Sequence, residues 1–258
     1  MTRWRLLETG ARPGAWNMAC DAALLASVDG GAAPPTIRFY GWDPPAVSLG
    51  HHQPEPEPAE LARLRARGIE WVRRPTGGRA VYHGPPDEEL TYSLVAALDD
   101  PAFGDGIAGR HRRIHGAIAA ALLRLGTRVD LASRKSEMVR PSSRLACFAA
   151  SVPGEIAVDG RKLVGSAQRR TRRAFLQHGS IPLAGEQTVL AEIWPGCLDP
   201  ARTTSVSSAV GRSVGFDELA RSLAAAFEDS LSVELVAGAL TPEEEQRIDA
   251  CASRPALA

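Results

Sequence analysis

EIAVDGRKLVGSAQ (Glu155–Gln168) followed by AFLQHGSIPL (Ala174–Leu183) is the stretch on which the fold turns. Three runs, Glu155–Val158, Lys162–Arg169 and Ala174–Leu183, are rich in apolar residues and separated by turn signals. Asp159-Gly160 is the tight-hairpin pair, since a two-residue turn of that kind needs φ > 0 at both central positions. The spacing predicts three consecutive antiparallel strands, with the charged tip Arg169-Arg170-Thr171-Arg172-Arg173 between the second and third.

Working upstream, Arg110–Leu125 carries Ile114, Ile118, Ala121, Leu122 and Leu125 at helical spacing and stops at Gly126. Leu90–Ala97 is a strand in which Tyr92, Leu94 and Ala96 alternate with Thr91, Ser93 and Val95. Glu70–Arg73 and Arg79–His83 are strands flanking Pro75-Thr76-Gly77-Gly78, and Ala59–Arg67 is a short helix ended by Gly68. Arg3–Glu8, Thr36–Tyr40 and Ala46–Leu49 are further strands, and Trp16–Val28 is a helix. Ser133–Arg144 reads as a loop. Downstream, Phe216–Ser230 and Thr241–Cys251 are two closing helices, the second opening on Thr-Pro-Glu-Glu. This order is α+β, strands packed by segregated helices, in one domain over 1–258 with C-terminal helices at about 216–254.

Bulk properties exclude several classes. Of 258 residues, 44% are hydrophobic and 23% charged, the balance of a globular protein with a sizeable core. Lys plus Arg equals Asp plus Glu at 30 each, so no global field favours nucleic acid or an anionic membrane. No run approaches the ~18 apolar residues of a membrane span. The start, Met1-Thr2-Arg3-Trp4-Arg5, lacks an apolar export region. Cys20, Cys147, Cys197 and Cys251 show no paired metal-ligand spacing. A cytoplasmic protein with reduced thiols is the expectation.

Lysine occurs only at Lys135 and Lys162, and Cys147 precedes Lys162 by fifteen positions. A thiol is a poor nucleophile until ionised, and a nearby ammonium favours the thiolate and can then shuttle the proton. On spacing alone, a buried apolar Cys with an exposed Lys is the favoured explanation of the pair. Gly77-Gly78 is either a routine turn or a place where backbone N–H groups approach an anion. His111 and His115, four apart, are a candidate metal pair, but their arginine neighbours favour a solvated basic helix face. The arginine tip is a solvated turn or a docking patch for an acidic partner. His178 is a base or a half-buried strand histidine.

Four segments stand in order: GWDPPAVSLG (Gly41–Gly50), RRPTGGRAVYH (Arg73–His83), KLVGSAQ (Lys162–Gln168) and LQHGSI (Leu176–Ile181). Together they resemble the biotin/lipoate protein ligase family. The Thr-Gly-Gly-Arg form and the Cys147-Phe148 pair resemble its octanoyl-[acyl-carrier-protein]:protein N-octanoyltransferase branch. The resemblance implies a curved mixed β-sheet flanked by helices, with Cys147 as acyl acceptor and Lys162 as its pKa-lowering partner. It also implies that Arg74, Gly77, Gly78, Arg79, Ala80, Val81 and His83 line the acyl and oxyanion pocket, together with Gly165, Ser166, Ala167, His178 and Gly179. The implied partners are octanoyl-acyl carrier protein and a lipoyl domain or glycine cleavage H protein. No cofactor or metal is implied; ATP and Mg belong only to the ligase alternative, and a non-catalytic carrier-binding homologue is the third reading. Two stretches depart from the family pattern: Gly84-Pro85-Pro86-Asp87 after His83, and Ala149-Ala150 after Cys147-Phe148.

Overall fold

The computed structural model describes residues 1–103, 106–131, 154–185 and 187–252. Cys147 and the loop expected at Ser133–Arg144 lie outside the described residues. In chain order the N-terminal half holds strand β1 (Thr2–Arg12), helix α1 (Gly14–Asp29), β2 (Thr36–Trp42), β3 (Ala46–Leu49), α2 (Pro58–Ala66), β4 (Glu70–Arg73), β5 (Val81–His83) and β6 (Glu89–Ala97). Then come α3 (Gly106–Arg124), β7 (Asp130–Leu131), β8 (Ile156–Val158), β9 (Arg161–Lys162), β10 (Gly165–Arg170) and β11 (Ala174–Pro182). The remainder is α4 (Val189–Ile193), α5 (Val206–Val210), α6 (Phe216–Leu231), β12 (Val233–Ala237) and α7 (Pro242–Ala252).

The main sheet has six strands in the order β10-β11-β6-β2-β1-β12. β12, β1 and β2 run parallel, whereas β2, β6, β11 and β10 pair antiparallel, so the sheet is mixed. Its two faces are both covered. Ile37, Phe39, Tyr92, Leu94 and Phe175 pack on one side against Ile114 and Ile118 of α3 and Leu219, Leu223 and Phe227 of α6. On the other, Leu7, Val95 and Leu176 meet Ala23 and Leu24 of α1 and Ile248 of α7. A strand covered on both faces has no solvated side, which is why the alternation in Glu89–Ala97 separates two buried faces rather than core from solvent. A small sheet, β4-β3-β5, sits over a second core of Val47, Leu49, Leu64, Leu190 and Ile193, and a third sheet is β7-β8-β9.

Most elements fall where the pattern put them, and Asp159 and Gly160 both have φ > 0 (50° and 73°), as the hairpin requires. Two readings need correction. The single strand expected at Lys162–Arg169 is two strands. Leu163 and Val164 both direct their N–H to the Ile156 carbonyl (3.0 and 3.4 Å) and bury their side chains completely, so the chain leaves the small β7-β8-β9 sheet there and joins the main one. The C-terminus is not two helices alone. Between them β12 runs parallel to β1, Thr2 opposite Val233 through Leu6 opposite Ala237. The Thr-Pro-Glu-Glu start of α7 forms a reciprocal cap, Thr241 N–H to Glu244 and Glu244 N–H to Thr241 Oγ1. The buried Glu244 carboxylate also takes two hydrogen bonds from Arg5 (2.7 and 2.8 Å), pinning α7 to β1. Among the described residues no helix is long and apolar enough to cross a membrane.

Candidate active site

A narrow apolar cleft lies between the small sheet and the β10-β11-β6 part of the main sheet. It is lined by Met18 of α1, Tyr40 and Trp42 of β2, Ser48, Arg74, Val81 and His83 of the small sheet and its loop, and Thr91, Gly165, Ser166, Ala167, His178, Gly179 and Ser180 of the main sheet. Glycines set its width. A Cβ on Gly179 would stand 2.5 Å from Ser166 Oγ and 2.7 Å from the Tyr92 ring. One on Gly50 would stand 2.1 Å from the Gly78 carbonyl, so the loop after β4 closes down on the end of β3 only because Gly50 has no side chain.

Arg74 holds that loop. Its guanidinium, buried at 4% exposure, donates to the Ser48, Gly77 and Arg79 carbonyls (2.9, 2.8 and 2.8 Å) and to Thr76 Oγ1 (3.2 Å). Thr76 Oγ1 in turn meets His178 Nε2 at 2.6 Å, and His178 Nδ1 donates to Asp21 at 2.8 Å. Asp21, fully buried on α1, also accepts from Arg38 (2.9 Å) and from the Tyr40 hydroxyl (3.1 Å). Burial works against the Asp21 charge, but the His178 hydrogen bond and the Arg38 guanidinium prevail and hold its carboxyl below the usual range. Burial pulls His178 down, only partly offset by Asp21, so the ring is neutral.

A second histidine–carboxylate pair stands beside it. His83 stacks on Trp42 with ring centroids 3.8 Å apart. Its Nδ1 donates to Glu89 (2.8 Å) and its Nε2 meets Ser48 Oγ (2.8 Å). Glu89 also accepts from Thr91, which accepts from the Trp42 indole (2.7 and 2.9 Å). Glu89 thus supplies the carboxylate that Gly84-Pro85-Pro86 does not place directly after His83.

Lys162 lies where the chain enters β10, buried at 2% exposure, with its Nζ 2.7 Å from Glu155 Oε1. Next to it α3 presents His115, fully buried, with Nδ1 2.7 Å from the Gly154 carbonyl and Nε2 2.9 Å from Ser166 Oγ. This corrects the expected solvated face. The turn of α3 carrying Ile114, His115 and Ile118 faces the core, Arg110 is buried with it, and Arg112 and Arg113 reach solvent. His111 is half-buried against it, ring centroids 3.9 Å apart. Burial drives His115 down to about 3, with repulsion from His111 next in size. Among the described residues no group of three His, Cys, Asp or Glu side chains is placed to hold a metal.

Of the pocket residues expected from sequence, Arg74, Val81, His83, Gly165, Ser166, Ala167, His178 and Gly179 line the cleft. Ala80 faces the second core instead, and Arg79 and Gly77 contribute their carbonyls to Arg74 rather than a wall. Gly78, at φ +92°, packs against Gly50. His178 is fully enclosed, not half-buried. Sequence reasoning missed Asp21, Arg38, Glu89, Glu155 and the role of His115. The one available signal was Asn17 and Asp21, polar and four apart in an otherwise apolar helix.

Comparison with known proteins places the chain in a family. Residues 13–228 match the family described as Lipoyl protein ligase A/B catalytic domain. The chain is 39% identical to Octanoyltransferase LipM of Symbiobacterium thermophilum over 95% of its own length and 92% of that protein. It is 37% identical to the Octanoyltransferase LipM of Kyrpidia tusciae, covering 95% and 93%. A crystal structure of lipoate-protein ligase A bound with ATP superposes with a TM-score of 0.77 at 25% identity, covering 98% of this chain and 94% of that one. A T. acidophilum protein with bound lipoic acid gives 0.74 at 25% identity, covering 96% and 93%. Mixed sheet, flanking helices and a glycine-narrowed cleft define a lipoate-ligase-type catalytic domain. The chain belongs to the lipoyl protein ligase A/B catalytic domain family.

Proposed function

We propose that this chain is a protein N-octanoyltransferase of lipoate biosynthesis, moving octanoyl from acyl carrier protein to a lysine of a lipoyl domain or glycine cleavage H protein in the cytoplasm. The observation that carries this reading is similarity along nearly the whole chain to proteins named octanoyltransferases. An apolar cleft whose β10 wall begins three residues after a buried, ion-paired lysine supports it.

The Cys147 thiolate, favoured by the Lys162 ammonium, attacks the thioester carbonyl of the octanoyl group. A new C–S bond forms, the carrier's C–S bond breaks, and the departing thiolate takes a proton from Lys162. The neutral amine of the target lysine then attacks acyl-Cys147. Its proton passes to Lys162, the amide forms, and the Cys147 thiolate is restored beside an ammonium again. Glu155, at 2.7 Å, keeps the charged form of Lys162 in place between turnovers. Backbone N–H groups near Gly77-Gly78 and Gly165-Ser166 hold the tetrahedral oxyanion, each worth about 3–4 kcal/mol. Thioester to amide is downhill, so no nucleotide enters. The octanoyl chain occupies the cleft, and each buried methylene contributes about 0.8 kcal/mol, a modest selection for length. The exposed arginines of the 169–173 tip lie beside the loop after β4, Arg169 reaching the Pro75 carbonyl at 3.2 Å, and dock the acidic faces of carrier and acceptor.

The rival reading is an ATP-dependent lipoate ligase, favoured by the likeness to a ligase solved with ATP. Octanoyl transfer to a lipoyl domain is to be followed by gel shift and mass, with octanoyl-carrier and no nucleotide, and separately with octanoate and MgATP. Product in the first mixture and none in the second supports the transferase. Product only with ATP overturns it.

A further inference from the structure

The His111/His115 spacing has no part in the chemistry above, yet His115 touches both the cleft wall and the backbone leading into Glu155. The Gly154 carbonyl can only accept, so His115 Nδ1 carries the ring proton. The ring is neutral, since burial and the neighbouring His111 and Lys162 all oppose a second proton. Nε2 is therefore an acceptor, and the Ser166 hydroxyl donates to it. That fixes every direction further along. Tyr92 donates to Ser166 (2.8 Å), Gln177 to Tyr92 (2.8 Å) and Gln168 to Gln177 (2.5 Å). One oriented chain of hydrogen bonds crosses β10, β11 and β6 and ends on the Gly154 carbonyl.

We propose that His115 is a positioning residue for the acyl transfer. By clamping the Gly154 carbonyl, it fixes the backbone that aims Glu155 at Lys162, and it ties that backbone to the Ser166 wall of the cleft. The inference rests on the reading of Lys162 as the proton carrier. Geometry makes the clamp local. Gly154 adjoins Glu155, Glu155 holds Lys162 Nζ at 2.7 Å, and Lys162 is three residues from Gly165. Gly154 sits at φ +87°, a conformation that a non-glycine residue resists, so the carbonyl's direction is set by a residue chosen for it. A second consequence concerns Ser166. With its proton committed to His115, its hydroxyl is not an oxyanion donor, and that task falls to backbone N–H groups.

Two amides separate the clamp from the wall contact. Asparagine places its N–H₂ near the position of Nδ1 and can keep the Gly154 bond. Glutamine reaches the position of Nε2 and can keep only the Ser166 bond. Steady-state transfer from octanoyl-carrier is measured for wild type, His115→Ala, His115→Gln, His115→Asn and Lys162→Ala, with thermal unfolding of each. We expect Ala and Gln to lower kcat about 10- to 100-fold with KM within about twofold, the pattern of a misplaced reacting group. We expect Asn to recover at least about tenfold of that loss, at an unfolding midpoint equal to that of Gln. Equal kcat for Asn and Gln, or wild-type kcat in Ala, would overturn the clamp. Wild-type kcat in Lys162→Ala would instead remove the proton-carrier reading on which it rests.

Discussion

The two ends of the cleft are built differently. At the small-sheet end, His178 and His83 are braced by carboxylates from distant elements, Asp21 on α1 and Glu89 at the start of β6, and every link is closed by a hydrogen bond. At the β9–β10 end, Lys162 takes its carboxylate from only seven residues upstream, across one hairpin, and its neighbour His115 comes from α3. The first arrangement staples helix, small sheet and main sheet into one body. The second pairs a buried amine with a local carboxylate in the turn leading to a cleft wall. We read the first as scaffold and the second as machinery.

Breaking the scaffold end should cost the most. Asp21→Ala leaves Arg38 charged and fully buried without its carboxylate, and is expected to destabilise the fold by about 3–5 kcal/mol in urea unfolding. A loss below about 1 kcal/mol would show that Arg38 is held instead by Asn17 Oδ1 and Thr9 Oγ1, which also accept from its guanidinium (2.5 and 2.9 Å). The machinery end should behave in the opposite sense. Replacing the whole pair, Lys162→Met with Glu155→Leu, is expected to leave unfolding within about 2 kcal/mol of wild type while transfer falls at least ~100-fold. If stability collapsed instead, the two ends would not differ as described.

Gly179→Ala tests the wall they share. Its Cβ would meet Ser166 Oγ, the Tyr92 ring and the Gly165 carbonyl at 2.5, 2.7 and 2.8 Å. We expect about 1–3 kcal/mol of destabilisation and a larger fall in kcat/KM for octanoyl than for shorter acyl donors. Acid should weaken the machinery end continuously rather than in one step. Below about pH 6.5 the unfolded chain protonates His115, whereas the folded chain refuses that proton until about 3. Between those values stability is lost on acidification by about 1.4 kcal/mol per pH unit, and His115→Asn should flatten the slope by that amount in a pH series of melts. The smallest effect is expected outside the cleft. Arg170→Glu with Arg172→Glu should lower kcat/KM about three- to tenfold for octanoyl-carrier, fading in high salt, and leave a small octanoyl thioester unaffected.

The same division explains what the sequence made legible. Segments with backbone duties announce themselves. Gly77-Gly78, Gly165 and Gly179 sit where the chain approaches itself, and they carried Arg74, Val81, His83, Ser166 and His178 into the cleft with them. The carboxylates did not. Asp21 meets His178 across 157 residues, and the Asn17/Asp21 spacing that marks a polar spot on α1 does not name its partner until α1 is laid on the sheet. Glu89 was hidden because Gly84-Pro85-Pro86-Asp87 separates it from His83, and a loop that bends back is not read from spacing. His115 misled for a simpler reason. Arg110, Arg112 and Arg113 colour the helix basic, but the 3.6-residue period turns His115 inward with Ile118. The strand Val233–Ala237 was passed over because it is short, with Glu234, Val236 and Ala237 exposed at the sheet edge, and its partner is the first strand of the chain.

The account stands or falls on acyl-Cys147. The intact mass of the protein is to be taken after mixing with octanoyl-carrier alone, without nucleotide or acceptor, and again after hydroxylamine. We predict a single octanoyl adduct that hydroxylamine removes, located to Cys147 by peptide mapping and lost in Cys147→Ala. A wild-type mass that never changes, or an adduct that persists in Cys147→Ala, would contradict it.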